Sequence, residues 1–97
     1  MKNPSWSQLK NSLRIGDLLP GRVTRHEPYG IFVELNLSFE GLIQITDFKD
    51  EGIMSPHEYP PVGQKLEVVV LGFKEFGQQI WLGVRPSQLA GATRKKE

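Results

Sequence analysis

The sequence predicts an all-β chain: one domain built as a small five-stranded barrel. Three observations lead there. Five short segments alternate apolar and polar residues, the pattern of a half-buried strand. Ten glycines and seven prolines, many for 97 residues, fall largely between those segments and favour sharp turns. No segment carries a helical period long enough for a core helix. With 38% hydrophobic residues the chain can bury one modest core. A small sandwich is the competing architecture.

The elements follow in order. Residues 1–14 form a lead-in, in which Trp6, Leu9 and Leu13 have helical spacing and predict a short helix or turn lying against the barrel. Gly16 opens the first strand, Leu18 to His26, with Pro20-Gly21 as a bend near its start. Pro28-Tyr29-Gly30 is a turn. The second strand is Ile31 to Leu35, with Ile31, Val33 and Leu35 inward and Phe32 and Glu34 outward. The third is Glu40 to Ile45, with Ile43 and Ile45 inward and Leu42 and Gln44 on the other face. Residues 46–63, rich in Asp, Glu, Gly and Pro, make a long connection with a helical turn. The fourth strand is Gln64 to Gly72, with Leu66, Val68 and Val70 inward. A hairpin loop, Lys74 to Gln78, leads to the fifth, Gln79 to Val84, with Ile80, Leu82 and Val84 inward and Trp81 outward. Residues 87–97 are expected to trail off as a basic, disordered tail.

Composition narrows the function. No cysteine is present, which removes disulfides and thiolate metal sites and fits a reducing, cytoplasmic setting. No secretory signal is expected from the polar N-terminus, and the longest apolar run, Val68 to Leu71, is far too short for a membrane span. Arg94, Lys95 and Lys96 lie in the last four residues, leaving nine basic and ten acidic side chains in residues 1–93. The body is therefore not globally basic, and non-specific phosphate binding by it should be weak. Residues 10–25 lean basic and residues 40–58 lean acidic. His26-Glu27 and His57-Glu58 lack metal spacing and belong to different loops, so no cofactor is expected. No nucleophile-base order or phosphate-cradling loop stands out, and an enzyme is the least favoured class.

The run Gly16-Asp17, Gly21-Arg22-Val23, Tyr29-Gly30-Ile31-Phe32-Val33-Glu34-Leu35 resembles the opening of an S-one domain, an RNA-binding module named after a ribosomal protein. The likeness continues through Gly41-Leu42-Ile43-Gln44-Ile45-Thr46, Tyr59, Val62-Gly63-Gln64 and Ile80-Trp81-Leu82-Gly83, and spans residues 15–86. The lead-in resembles the linker between tandem copies in that protein. The resemblance implies a five-stranded OB-fold that takes nucleic acid across the outer face of its second and third strands. Aromatic faces would stack on unpaired bases and nearby cations would track phosphates.

Carried over by position, the family's aromatic contacts fall on Tyr29 and Phe32. Its third-strand histidine falls on Gln44, its aspartate after the fourth strand near Lys74, and its basic residue opening the fifth strand on Gln79. Trp81 and Gly83 stand where small polar residues are usual. Two of these contact positions are kept in kind.

The expected RNA-binding set is thus Tyr29, Phe32, Gln44, Arg22, Arg25, Lys74, Gln79 and Trp81. Phe32 is expected to be an exposed platform whose truncation leaves the fold intact. Tyr29 either stacks or caps the barrel end. Trp81 is either a contact or a residue covered by Trp6 and Leu9, the second being favoured. Arg22, Arg25 and Lys74 could form a phosphate track. Single-stranded RNA is the leading partner for a chain expected to be monomeric. A ribosomal or other protein partner is the alternative, favoured by the near-neutral body, the outward Trp81 and the acidic stretch 47–58.

Overall fold

The computed structural model describes residues 5–94. The order of elements is α1 (Trp6–Ser12), β1 (Asp17–Glu27), β2 (Gly30–Glu34), β3 (Gly41–Gln44), β4 (Lys65–Lys74), β5 (Gln79–Gly83), α2 (Pro86–Ala90) and β6 (Thr93–Arg94). The sheet runs β2-β3-β5-β4-β1, and β1 also pairs with β2, so five strands close into a barrel. All pairings among them are antiparallel except β3 with β5. This is the five-stranded barrel that the alternation implied, closed as the OB-fold that the resemblance implied.

The predicted inward residues fill it. Ile31, Val33, Leu35, Ile43, Val68, Val70, Ile80 and Leu82 are buried in one cluster, against which Ile45, Leu66 and Val84 pack. Strand ends differ by a residue or two. The third strand stops at Gln44 because Ile45–Asp47 turns into a short 3-10 segment, and a second such turn, Pro56–Glu58, lies further along the long connection.

α1 begins at a capping box. The Ser5 hydroxyl accepts from the Gln8 N–H, and the Gln8 side chain accepts from the Ser5 N–H. Seven residues do not hold a helix by propensity alone, so its apolar face must hold it. Trp6, Leu9 and Leu13 are buried, and the Trp6 ring meets Phe39 and Phe73 edge-on at 5.1 and 5.9 Å. The lead-in is therefore an end cap of the core. At another point of the core Tyr59 stacks on Phe48 at 5.8 Å and donates its hydroxyl to the Glu27 carbonyl at 2.7 Å. Burial raises the Tyr59 phenol above its ordinary value.

The expected tail is shorter than the sequence suggested. Residues 86–90 form α2, and Thr93–Arg94 pairs parallel with β1. α2 is tied down by the Asp50 carboxylate, which accepts from the Ser87 N–H and hydroxyl. Lys95, Lys96 and Glu97 lie outside the described residues.

Two irregularities set which residues reach the outer face. β1 shifts register against β2 between Val23 and Arg25, and β4 shifts against β5 between Val70 and Gly72. A bulge inserts one residue and so reverses which way later side chains point. Without the first, Arg25 would follow Val23 inward. With it, Arg25 stands opposite Phe32 on the outer face. Without the second, Gly72 would follow Val70 inward. With it, Gly72 stands opposite Trp81 and Phe73 turns in toward Trp6.

Candidate nucleic-acid interface

Register builds the site. Arg25 pairs with Phe32, Phe32 with Leu42, and Leu42 with Trp81. Directly opposed residues share a face, so these four form one outward row across β1, β2, β3 and β5. Phe32 and Leu42 are buried yet lie outside the core cluster, as an outward row covered by its neighbours requires.

A cation sits over each aromatic ring. The Arg25 guanidinium carbon lies 4.0 Å from the Phe32 centroid, and the Lys74 ammonium lies 5.4 Å from the Trp81 centroid. The two cations are held differently. Arg25 bonds Glu27 at 2.9 Å and lies 4.0 Å from Glu40. Lys74 makes no ion pair among the described residues. Trp81 is fixed from below: its indole N–H donates to the buried Asp47 carboxylate at 2.9 Å, and its ring lies against Gly72, where even a methyl carbon would come within 3.1 Å.

The other predicted residues fall around the row. Tyr29 is exposed and meets Phe32 edge-on at 6.2 Å. Gln44 is half-buried at the end of β3, opposite Gly30. Gly30 is required there because any side chain would run into the Ile43 carbonyl oxygen. Lys74 and Gln79 pair across the β4–β5 hairpin.

Three expectations need correction. Phe32 faces outward but is only 1% exposed, because the β1 bulge swings Arg25 over it. Trp81 is not the ring that Trp6 covers; Trp6 packs on Phe39 and Phe73, and Trp81 belongs to the outer row. The expected phosphate track is also divided. Arg25 and Lys74 flank opposite ends of the row, whereas Arg22 pairs with Glu34 and Lys65, beyond the bulge. A groove of about 480 Å³ beside Arg25 carries Glu34 and Glu40 on its wall, a poor setting for phosphate.

Sequence reasoning missed Asp47 as the support of Trp81, and Leu42 as the bridge between the rings. The acidic stretch 40–58 is largely engaged internally. Asp47 holds Trp81, Asp50 holds α2, and Glu58 pairs with Lys49 at 3.2 Å. The Lys49 hydrogen bond and the Ser55 N–H hold the Glu58 carboxyl below its ordinary value. Among the described residues, no group of three or more His, Cys, Asp or Glu could hold a metal ion, and no helix is long and apolar enough to cross a membrane.

The closed five-stranded barrel and its strand order define an OB-fold. Comparison with known proteins places it further: the S1 RNA binding domain family model matches residues 12–85, and the chain belongs to that family. The small ribosomal subunit protein bS1 homolog of Bacillus subtilis (strain 168) is 36% identical over 80 residues, 82% of this chain and 21% of that protein. The chain spans about a fifth of the length of the curated relatives it matches. Among solved structures, GSP13 from Bacillus subtilis superposes with a TM-score of 0.67 at 32% identity, covering 88% of this chain and 64% of that one. Protein MJ1198 from Methanocaldococcus jannaschii superposes at 0.60 with 28% identity, covering 76% of this chain and 95% of that one.

Proposed function

We propose that this chain is a module that binds single-stranded RNA, weakly and with little sequence preference, across the outer face of β2, β3 and β5. The observation that carries this reading is the row Arg25–Phe32–Leu42–Trp81, with a cation over each ring and family membership behind it. Unpaired bases stack on aromatic faces and on guanidinium planes alike. Arg25, half-exposed above Phe32, supplies such a plane, with Phe32 as its backing. Tyr29 supplies exposed ring surface beside Phe32, and the half-buried Trp81 supplies part of its ring at the far end of the row. Gln44 offers a donor and an acceptor to a base edge or ribose, and Gln79 does the same beside Lys74. Lys74 faces phosphate, and Arg22 reaches it only where a strand continues past the bulge.

Among the described residues no reactive constellation accompanies the row, and the chain is proposed as a binding module rather than a catalyst, acting as a monomer in the cytoplasm. Titrating isotope-labelled protein with a short unstructured RNA, at two salt concentrations, tests it. Amide shifts should centre on Tyr29, Phe32, Gln44 and the Trp81 indole, with micromolar or weaker affinity that falls with salt. Shifts that avoid Phe32 and Gln44 would sink the idea.

A second reading, a protein-binding module of the same fold, draws on the carboxylates Glu27 and Glu40 that already satisfy Arg25. Partners retained on the immobilised chain after nuclease treatment would favour it.

A further inference from the structure

We infer that the groove between β1, the end of β2 and the β2–β3 loop is a second interaction surface, which takes an arginine side chain presented by a protein partner. The inference does not rest on the RNA-binding reading. The groove holds about 480 Å³, within the range of about 300–1,000 Å³ usual for ligand sites. Its walls carry two kinds of surface. Glu34 and Glu40 supply carboxylates, and Leu37 and Phe39 supply apolar contact. Glu34 is exposed and makes no ion pair among the described residues, although Arg22 stands opposite it on β1. Glu40 is only loosely engaged: one oxygen lies 4.0 Å from Arg25, and a carboxylate has room for several donors. Arg25, the one cation on the wall, is already held by Glu27 at 2.9 Å.

The walls are held, which lowers the entropic cost of binding. Phe39 meets the Trp6 ring edge-on at 5.1 Å, and Trp6 is itself buried in the core cluster. On the β1 side the Thr24 hydroxyl donates to the Phe32 carbonyl at 3.2 Å, across the bulge.

Chemistry selects the occupant. Two carboxylates repel phosphate, so an RNA backbone is a poor guest. A hydrated metal ion or ammonium would leave Leu37 and Phe39 unused. A guanidinium is planar and weakly hydrated, pairs with carboxylates through parallel N–H bonds, and lies well against aromatic rings. The molecule already shows this chemistry beside the groove: the Arg25 guanidinium carbon lies 4.0 Å from the Phe32 centroid, with Glu27 and Glu40 alongside. A partner's arginine would meet the same components in Phe39, Glu34 and Glu40. Its aliphatic stem would cover Leu37, which is 39% exposed.

The test titrates the isotope-labelled full chain with the capped tripeptide Ala-Arg-Ala. Parallel titrations replace the arginine by lysine or by its uncharged isostere citrulline. The arginine peptide should give saturable amide shifts at Glu34, Leu37, Phe39 and Glu40. The lysine peptide should bind several-fold more weakly, and the citrulline peptide should give no saturable shift. E34Q should weaken the arginine peptide about tenfold, with an unchanged urea midpoint because Glu34 is exposed and in no ion pair. L37S should weaken it a few-fold. Absence of saturable shifts, equal responses to arginine and citrulline, or parental affinity in E34Q overturns the inference. Groove shifts raised by a short oligouridylate in place of the peptide would assign the groove to RNA and overturn it as well. E34Q should leave oligouridylate binding at parental affinity, so this inference and the RNA reading fail separately.

Discussion

The two ends of the outer row are built from the same parts and behave differently. At the β2 end an aromatic ring is sealed beneath a cation that two carboxylates hold in place. At the β5 end a half-exposed ring is fixed from below by Asp47, and the cation above it makes no ion pair among the described residues. One ring is buried by what lies over it; the other is ordered by what lies under it. Burial is therefore a poor guide to which residues belong to the core. Phe32 is as buried as Leu9 yet shares no cluster with it.

The largest expected effect tests the closed end. Phe32→Ala should cost about 3 kcal/mol in urea unfolding, as for a buried ring, because Arg25 and its neighbours close over it. This reverses the expectation that an outward side chain could be removed freely. A cost under about 1 kcal/mol would mean that Arg25 leaves Phe32 open in solution.

Next comes the support of the open end. Asp47→Ala orphans the Trp81 indole N–H and should cost about 2 kcal/mol. The indole resonance should move even without RNA. An unmoved resonance would show that Gly72 and Lys74 alone hold the ring.

The two cations should then separate in a salt titration. Lys74→Ala should weaken RNA binding a few-fold and lower the salt slope by about one. Arg25→Ala should lower the slope by less, since Glu27 and Glu40 already neutralise that charge. Equal slopes for the two variants would erase the distinction between the ends.

The smallest effect concerns the clamp of α1 on the β4–β5 hairpin. The Lys10 ammonium, and after it the Trp6 indole, hold the Glu75 carboxyl below its ordinary 4.5. A depressed carboxyl stabilises the fold above its unfolded value and loses that contribution as pH falls through its folded value. The clamp should accordingly be intact near neutrality and release only below about pH 4.5, seen as movement of the Trp6 indole proton in an acid titration. A Trp6 signal that changes between pH 7 and 5 would assign the transition to another group.

Much of this fold was legible because a strand's period is two. Alternation in 31–35, 64–72 and 79–84 named the inward residues, and the Trp6, Leu9 and Leu13 spacing named the face of α1. The site was less legible. Arg22 and Arg25 are an odd number apart, so strict alternation would put them on opposite faces; only the bulge brings both outward. Asp47 is one acid among several in a polar connection, and nothing local distinguishes it as the partner of an indole 34 residues away.

By itself the sequence determined the barrel, its strand order along the chain, its inner face and the residue types available outside. These follow from local periodicity and turn chemistry, which each segment carries alone. Only the tertiary structure decided that Arg25 covers Phe32, that Asp47 holds Trp81, and that α1 braces the hairpin rather than the Trp81 face. Those outcomes depend on two one-residue register shifts between strands. Alternation says which side of a sheet a residue takes, but what lies over it there comes from a different strand.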